Sequence, residues 1–292
     1  MIQPEQIAVV NQAINHVHER LSTPLTAEAL AHHCRYSRHH FNRLFTAVTG
    51  ESVYGFIKRQ KLETGACLLM KYPQLSITDI ASFLNYSSSN FSDAFFKQFG
   101  LRPNLVRKGQ FSTPAKKTGH QILSQIINHN YGAKKIQHKG QRLRGTISIH
   151  DFPERILEYT RVIGPYCQLQ SLWKQYISQH IPCDVSQPMP RFFGIAYNDP
   201  LVTQPEQLIY DLCTEVKTPK SLQWHRIPSG RYACYHFEGP FSELFEAYNE
   251  FMAFWLPTNI TPYWGKACLE SYAPCPTPGH VSLEICVPFE RP

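Results

Sequence analysis

The sequence predicts two domains. The first is all-α and built from a repeated helix pair; the second is α+β and built from a repeated strand–helix–strand–strand unit. Three observations predict this. A gapless repeat spaced by 50 residues occupies the first half, and a second repeat, spaced by 75, occupies the other half. Charge also divides: residues 1–150 hold 19 Lys/Arg against 7 Asp/Glu, and residues 151–292 hold 10 against 15.

A chain of 292 residues suffices for two domains of ordinary size. With 42% apolar and 13% aromatic residues, both halves have material for a core. No apolar run approaches the length that crosses a bilayer, so no membrane partner is expected. The opening "MIQPEQIAVVNQAINHVHER" lacks a basic leader and is not expected to be a signal peptide. Nine cysteines, never spaced C-x-x-C, suit reduced thiols in a cytoplasm. The 14 histidines include the adjacent pairs His32-His33 and His39-His40. Neighbouring helical residues diverge by about 100°, so neither pair chelates, and no metal or cofactor is expected.

In the first repeat, "LTAEALAHHCRYSRHHFNRLFTAVTG" (25–50) aligns with "LSITDIASFLNYSSSNFSDAFFKQFG" (75–100). Thr26 and Ser76 are N-caps, and Ser76 with Asp79 forms a capping-box pattern. A short helix with Leu30/Ala31 or Ile80/Ala81 facing inward follows, then a turn at Cys34-Arg35-Tyr36 or Leu84-Asn85-Tyr86. Ser37 and Ser87 cap second helices whose Phe41/Phe45 and Phe91/Phe95, four apart, pack on the first. Each unit is a helix-turn-helix. Between them, "SVYGFIKRQKLETGACLLMK" reads as a longer amphipathic helix.

Ile77-x2-Ile80-Ala81, then Phe91-Ser92-x2-Phe95-x-Lys97-x-Phe99-Gly100-x2-Pro103-x3-Arg107, resembles the signature of the AraC/XylS transcription regulators. The resemblance covers residues 5–108 and implies a double helix-turn-helix domain over 1–108 that binds a double-stranded DNA operator. The turn glycine of the family is Arg35 in one unit and Asn85 in the other. The arginine that usually follows Phe-Ser is Asp93, which would repel phosphate. The first recognition helix offers Arg38, His39, Asn42 and Arg43, types that contact guanine and adenine edges. The second offers Ser88, Ser89 and Asn90. Base reading is therefore expected from the first unit and backbone positioning from the second.

Residues 109–146 mix Gly, Pro, Lys and amides and read as a basic linker. Lys116, Lys117, Lys134 and Lys135 are placed to follow phosphates. Eleven Lys/Arg and no acid lie between Asp93 and Asp151. A basic half that meets a polyanion fits this distribution.

In the second repeat, "IGPYCQLQSLWKQY" (163–176) aligns with "EGPFSELFEAYNEF" (238–251). Trp173 meets Tyr248, Pro153 meets Pro228 and Tyr197 meets Tyr272. The strand, helix and two strands fall at 155–162, 166–180, 191–197 and 208–216, then at 231–237, 241–256, 267–272 and 281–287. This gives an α+β unit with a pseudo-two-fold axis. With "NDPLVT", Tyr210-Asp211-x-Cys213 and Leu269-Glu270-Ser271-Tyr272, residues 147–292 resemble the GyrI-like effector-binding domain. Helix-turn-helix first and GyrI-like second is the order of Rob-like regulators. The resemblance implies a groove for small lipophilic cations, faced by a strand glutamate.

Here that glutamate is Glu270, alone among small, apolar and aromatic neighbours, and its repeat counterpart is Ile195. A carboxylate walled by aromatics suits a cationic or amphipathic effector. Tyr272, Tyr197, Tyr159, Trp224 and Trp264 are the candidate walls. The leading expectation is an effector-responsive, cytoplasmic and nucleoid-associated transcription regulator, not an enzyme. A second reading, also from the resemblance, is a GyrI-like hydrolase of small electrophilic toxins, with Glu270 activating water. A third has the acidic half bind a protein such as RNA polymerase.

Overall fold

The computed structural model describes residues 2–108, 145–182, 188–259, 268–273 and 279–289. Trp264, most of the basic linker and its four lysines lie outside the described residues.

Seven helices form the N-terminal domain: α1 (Pro4–Glu19), α2 (Ala27–His33), α3 (Arg38–Thr49), α4 (Val53–Lys71), α5 (Ile77–Phe83), α6 (Ser88–Phe99) and α7 (Pro103–Arg107). The side chains of Thr26, Ser37, Ser76 and Ser87 accept the expected capping bonds, and Ser76–Asp79 closes a capping box. Left-handed Gly50 and Gly100 end α3 and α6. The turn positions take the same conformation without glycine, at Arg35 (φ 60°) and Asn85 (φ 59°). That costs roughly 1–2 kcal/mol for an ordinary side chain and less for Asn.

The connecting helix α4 departs from expectation. It is buried nearly all round, Arg59, Gln60, Lys61 and Glu63 included. The reason is its place between both helix-turn-helix units and the C-terminal domain, which leaves little of it but Tyr54 in its first turn open to water. Lys61 Nζ donates to the carbonyls of Thr23 (3.2 Å) and Leu84 (3.0 Å), tying the two units together.

Among the described residues the C-terminal domain carries one eight-stranded antiparallel sheet: β1 (Thr146–Phe152), β2 (Arg155–Ile163), β3 (Phe192–Ala196), β4 (Ile209–Val216), β5 (Trp224–Ile227), β6 (Gly230–Pro240), β7 (Cys268–Ala273) and β8 (His280–Pro288). Their order is β1-β6-β8-β7-β3-β4-β2-β5. The pseudo-two-fold axis passes between β3 and β7. Beyond the expected strands, β1 and β5 complete the sheet, each on the other repeat's side. Only Pro153 and Glu154 join β1 to β2, and only Pro228 and Ser229 join β5 to β6. So short a link reaches at most about 11 Å, yet β1 and β2 are far apart in strand order. The sheet must therefore curl. One face closes on Leu157, Tyr159, Phe193, Cys213, Cys234 and Cys286. The other carries α8 (Leu169–His180) and α9 (Leu244–Asn249), which continues through a π-helical segment (Glu250–Trp255) into α10 (Leu256–Asn259).

Two contacts weld the domains. In the first, Arg161 on β2 donates to Asp211 (2.8 and 2.7 Å), to the Asn11 carbonyl of α1 (2.9 Å) and to Asn15 Oδ1 (2.6 Å). His225 Nε2 also meets Asp211, at 2.7 Å. In the second, the loop after β3 docks on α4. Asp199 pairs with Lys71 (2.7 Å), Thr203 donates to Glu63 (2.8 Å), and Leu201 and Val202 enter the core of the second helix-turn-helix unit.

Asp211 is fully buried and the Arg161 side chain only 2% exposed. Burial raises the Asp211 carboxyl, but Arg161 and His225 hold it well below the usual carboxylate range. Its stabilising contribution is therefore present above the ordinary value of 3.8 and is lost as pH falls further. Asp211→Asn strands a buried guanidinium and should cost about 3–5 kcal/mol, measured as a lowered urea midpoint. A loss near that of an exposed pair such as Arg102–Asp93 would remove the latch from the account.

Candidate functional site

A cavity of about 770 Å³ lies between the helix-bearing face of the sheet and α4. Glu270 forms part of its wall and is only 3% exposed. It stands mid-strand on β7, opposite Gly194 on one side and Ile285 on the other. Gly194 is required there: a Cβ would fall on the Tyr210 hydroxyl and the Glu270 carboxylate.

Three tyrosine hydroxyls donate to the carboxylate. Tyr248 of α9 takes Oε1; Tyr210 of β4 and Tyr272 (2.7 Å) take Oε2. Trp173 of α8 donates to the Tyr210 hydroxyl at 3.3 Å, and its ring lies 4.6 Å from that of Tyr272. Among the described residues no Lys, Arg or His pairs with Glu270. Burial pushes its carboxyl above the ordinary 4.5, and the three hydroxyls pull it back down. Burial and the neighbouring carboxylate push Tyr210 and Tyr272 well above 10, so both stay protonated donors. The result is a held, oriented carboxylate set in aromatic surface.

The expected walls separate. Tyr272 belongs to the cage. Tyr197 lines the same cavity, but its hydroxyl is spent on Asp211 (2.9 Å) and its ring lies on His18. Tyr159 is elsewhere, stacked on His225 and bonded by Asn15. Trp224 is 38% exposed on edge strand β5. The physical reason is strand period. Ile195 packs in the core of the other sheet face, so it cannot be the counterpart of Glu270. The 75-residue alignment is out by one residue in this strand, where the register sets Gly194, not Ile195, across from Glu270. Tyr210, Tyr248, Trp173 and Gly194 were missed as site residues. The repeat held a signal for two of them, since Trp173 and Tyr248 are aligned positions on equivalent helices.

On the helical domain, Arg38, His39 and Arg43 are exposed along α3. Asn42 is not free for a two-point base contact, because its Oδ1 accepts from the Val53 amide (3.1 Å) and caps α4. On α6, Ser88, Ser89 and Asn90 are exposed. Ser88 donates to Thr78 and Ser89 shares a hydrogen bond with Ser87. The charge of Asp93 is met by Arg102 at 3.0 Å, both of them exposed.

Comparison with known families places these two halves. The GyrI-like small molecule binding domain matches residues 145–290. The chain belongs to this family. Residues 30–109 match a helix-turn-helix domain of the AraC type. An uncharacterized HTH-type transcriptional regulator, YfiF of Bacillus subtilis, is 33% identical over 115 residues, 39% of this chain and 36% of that protein. The right origin-binding protein of Escherichia coli is 30% identical over 105 residues, 36% of each. The match thus spans about a third of the curated relatives' length. A structure of the EcmrR–DNA complex is 16% identical, covering 91% of this chain and 99% of that one, with a TM-score of 0.40. No helix among the described residues is long and apolar enough to cross a membrane.

Gly194→Ala should push Tyr210 off Glu270 and cost about 1–3 kcal/mol. Gly230→Ala, where a Cβ meets nothing within 4 Å, should stay within about 0.5 kcal/mol. Thermal unfolding of the two variants side by side checks this, and equal shifts would deny the glycine its role.

Proposed function

We propose that this GyrI-like protein is a ligand-responsive transcription regulator, reading operator DNA mainly through α3 and holding a lipophilic cation against Glu270. The observation that carries the reading is the carboxylate itself. It is buried, oriented by three hydroxyl donors, without a basic partner among the described residues, and set on the wall of a cavity of ligand size. A cation there gains both the charge and the aromatic rings of Tyr210, Tyr248 and Tyr166 on the same cavity wall, each ring face worth roughly 0.5–2 kcal/mol. The volume suits a drug-sized molecule. The hydrolase reading asks Glu270 to take a proton from water. Both of its oxygens already accept hydroxyl protons, which weakens it as a base.

Glu270→Gln keeps shape and removes charge. Affinity for a cationic aromatic probe should fall about tenfold to a hundredfold, while a neutral isostere loses much less. The raised carboxyl sets the pH dependence. In the wild type, cation affinity should climb as pH rises from about 4.5 through the folded value, because the cation selects the ionised form. The sign for stability is opposite: the carboxyl's contribution is complete below 4.5 and declines as pH rises through the folded value. Glu270→Gln should flatten both slopes. Calorimetry across pH decides, and an unchanged cation affinity in the variant would sink the electrostatic reading.

For DNA, Arg43→Ala should cost about 1–3 kcal/mol and relax discrimination at one base pair, whereas Ser89→Ala should do far less. Titration against operator variants at fixed salt tests this; equal losses would make the two units equivalent readers.

A further inference from the structure

The face of the sheet turned away from Glu270 holds a second group of donors. Cys234 of β6 and Cys286 of β8 stand directly opposite each other across an antiparallel pair. Glu284, two residues before Cys286 on β8, points to the same side. The two Sγ atoms and a Glu284 carboxylate oxygen lie within 4.8 Å of one another. Among the described residues it is the one place where three Cys, His, Asp or Glu donors converge so closely. The register with β7 fixes the face: Cys286 pairs with Leu269, and Glu270, one residue on, turns the other way. C-x-x-C spacing does not register such a pair, because strand pairing brings it together.

Both thiols make long hydrogen bonds within their own strands. Cys286 Sγ donates to the Glu284 carbonyl at 3.5 Å, and Cys234 Sγ to the Tyr232 carbonyl at 3.9 Å. Those bonds leave the sulfur lone pairs free. The cysteines are buried, but the group is not sealed. The Glu284 side chain is 32% exposed, and His150, whose Nε2 lies 3.8 Å from Glu284 Oε1, is 47% exposed. Glu284 is therefore the way in, and the thiols are the closed end.

Tetrahedral donors at about 2.3 Å (sulfur) and about 2.1 Å (oxygen) from a zinc ion lie roughly 3.5–3.8 Å from one another. The three donors need only draw in slightly to reach that spacing. We propose that Cys234, Cys286 and Glu284 bind a thiophilic divalent cation of the zinc type, with a fourth position left to water or to His150. Thiolates favour such an ion over magnesium or calcium, which take oxygen donors. Each thiol gives its proton to solvent as its metal–sulfur bond forms. Two thiolates and one carboxylate then exceed the charge of the ion by one. The bound ion joins β6 to β8 beside β7, the strand that carries Glu270. This site does not depend on what the effector cavity holds.

The test uses the full chain, reduced with a phosphine and stripped with a chelator, then titrated with cobalt(II) and with zinc(II). Wild type should take up cobalt with a thiolate-to-metal charge-transfer band and the strong visible bands of tetrahedral cobalt. Zinc should displace it and raise the thermal midpoint. Cys286→Ser should remove at least half of the charge-transfer intensity and the stabilisation by zinc. Glu284→Gln, on the open side, keeps both thiols and should weaken zinc at least about tenfold, the loss that even an outer partner of a metal ligand causes. Cys167→Ser, an exposed cysteine outside the group, should change neither readout. If Cys286→Ser fails to fold by circular dichroism, Glu284→Gln decides alone. A wild type without the charge-transfer band, a band undiminished at Cys286→Ser, or a zinc affinity unchanged at Glu284→Gln overturns the proposal.

Discussion

Taking polar groups out of water between two domains is tolerable only when each finds a partner, and this molecule is organised around that constraint. Arg161 shows it most fully. Its guanidinium spans β2, Asp211 of β4, and the Asn11 carbonyl and Asn15 side chain of α1. Such a pair adds little net stability, since desolvation offsets attraction, but either half alone is strongly unfavourable. The docking geometry is thus specified more than it is strengthened. The second weld repeats the logic with Lys71–Asp199 and Glu63–Thr203 on the flank of α4. Because both welds hold, a cavity can exist between the helical domain and the sheet.

Within the sheet, symmetry and its breaking do different work. The exchanged edge strands make each repeat depend on the other, since the outermost strand of each half, β5 beside β2 and β1 beside β6, comes from its partner. The curl that follows separates a tight apolar interior from a helix-bearing face. On that face the two repeats are no longer equal. One presents Gly194, the other Glu270, directly across a strand pair. The glycine leaves the space and the glutamate fills it with charge. A single asymmetric carboxylate is what gives a pseudo-symmetric groove a polar end.

The helical domain is asymmetric in a comparable way. Its two units share capping, turns and aromatic core, yet α3 exposes arginines where α6 exposes serines. The helix joining them is buried along most of its length. Buried Lys61 reaches both units, and Gln60 beside it faces the cavity. The cavity wall and the tie between the two helix-turn-helix units therefore meet on one helix.

Much was determined by the sequence itself. Both repeats, the helix caps, the left-handed turn positions, most strand boundaries and the isolation of Glu270 are local matters of period, propensity and spacing, and they were legible residue by residue. Tertiary structure decided the rest. Which residue stands across from Glu270 depended on a one-residue slip between β3 and β7, and in a strand one residue changes the face. Tyr159 of β2 faces the opposite side of the sheet, while Tyr210 of β4 and Tyr248 of α9 converge on the carboxylate from elements far away in the chain. Asn42 looked free until the start of α4 arrived to be capped. The burial of α4 and the docking of "NDPLVT" onto it left no periodic trace, because those partners come from the other domain, about 140 residues away in the chain.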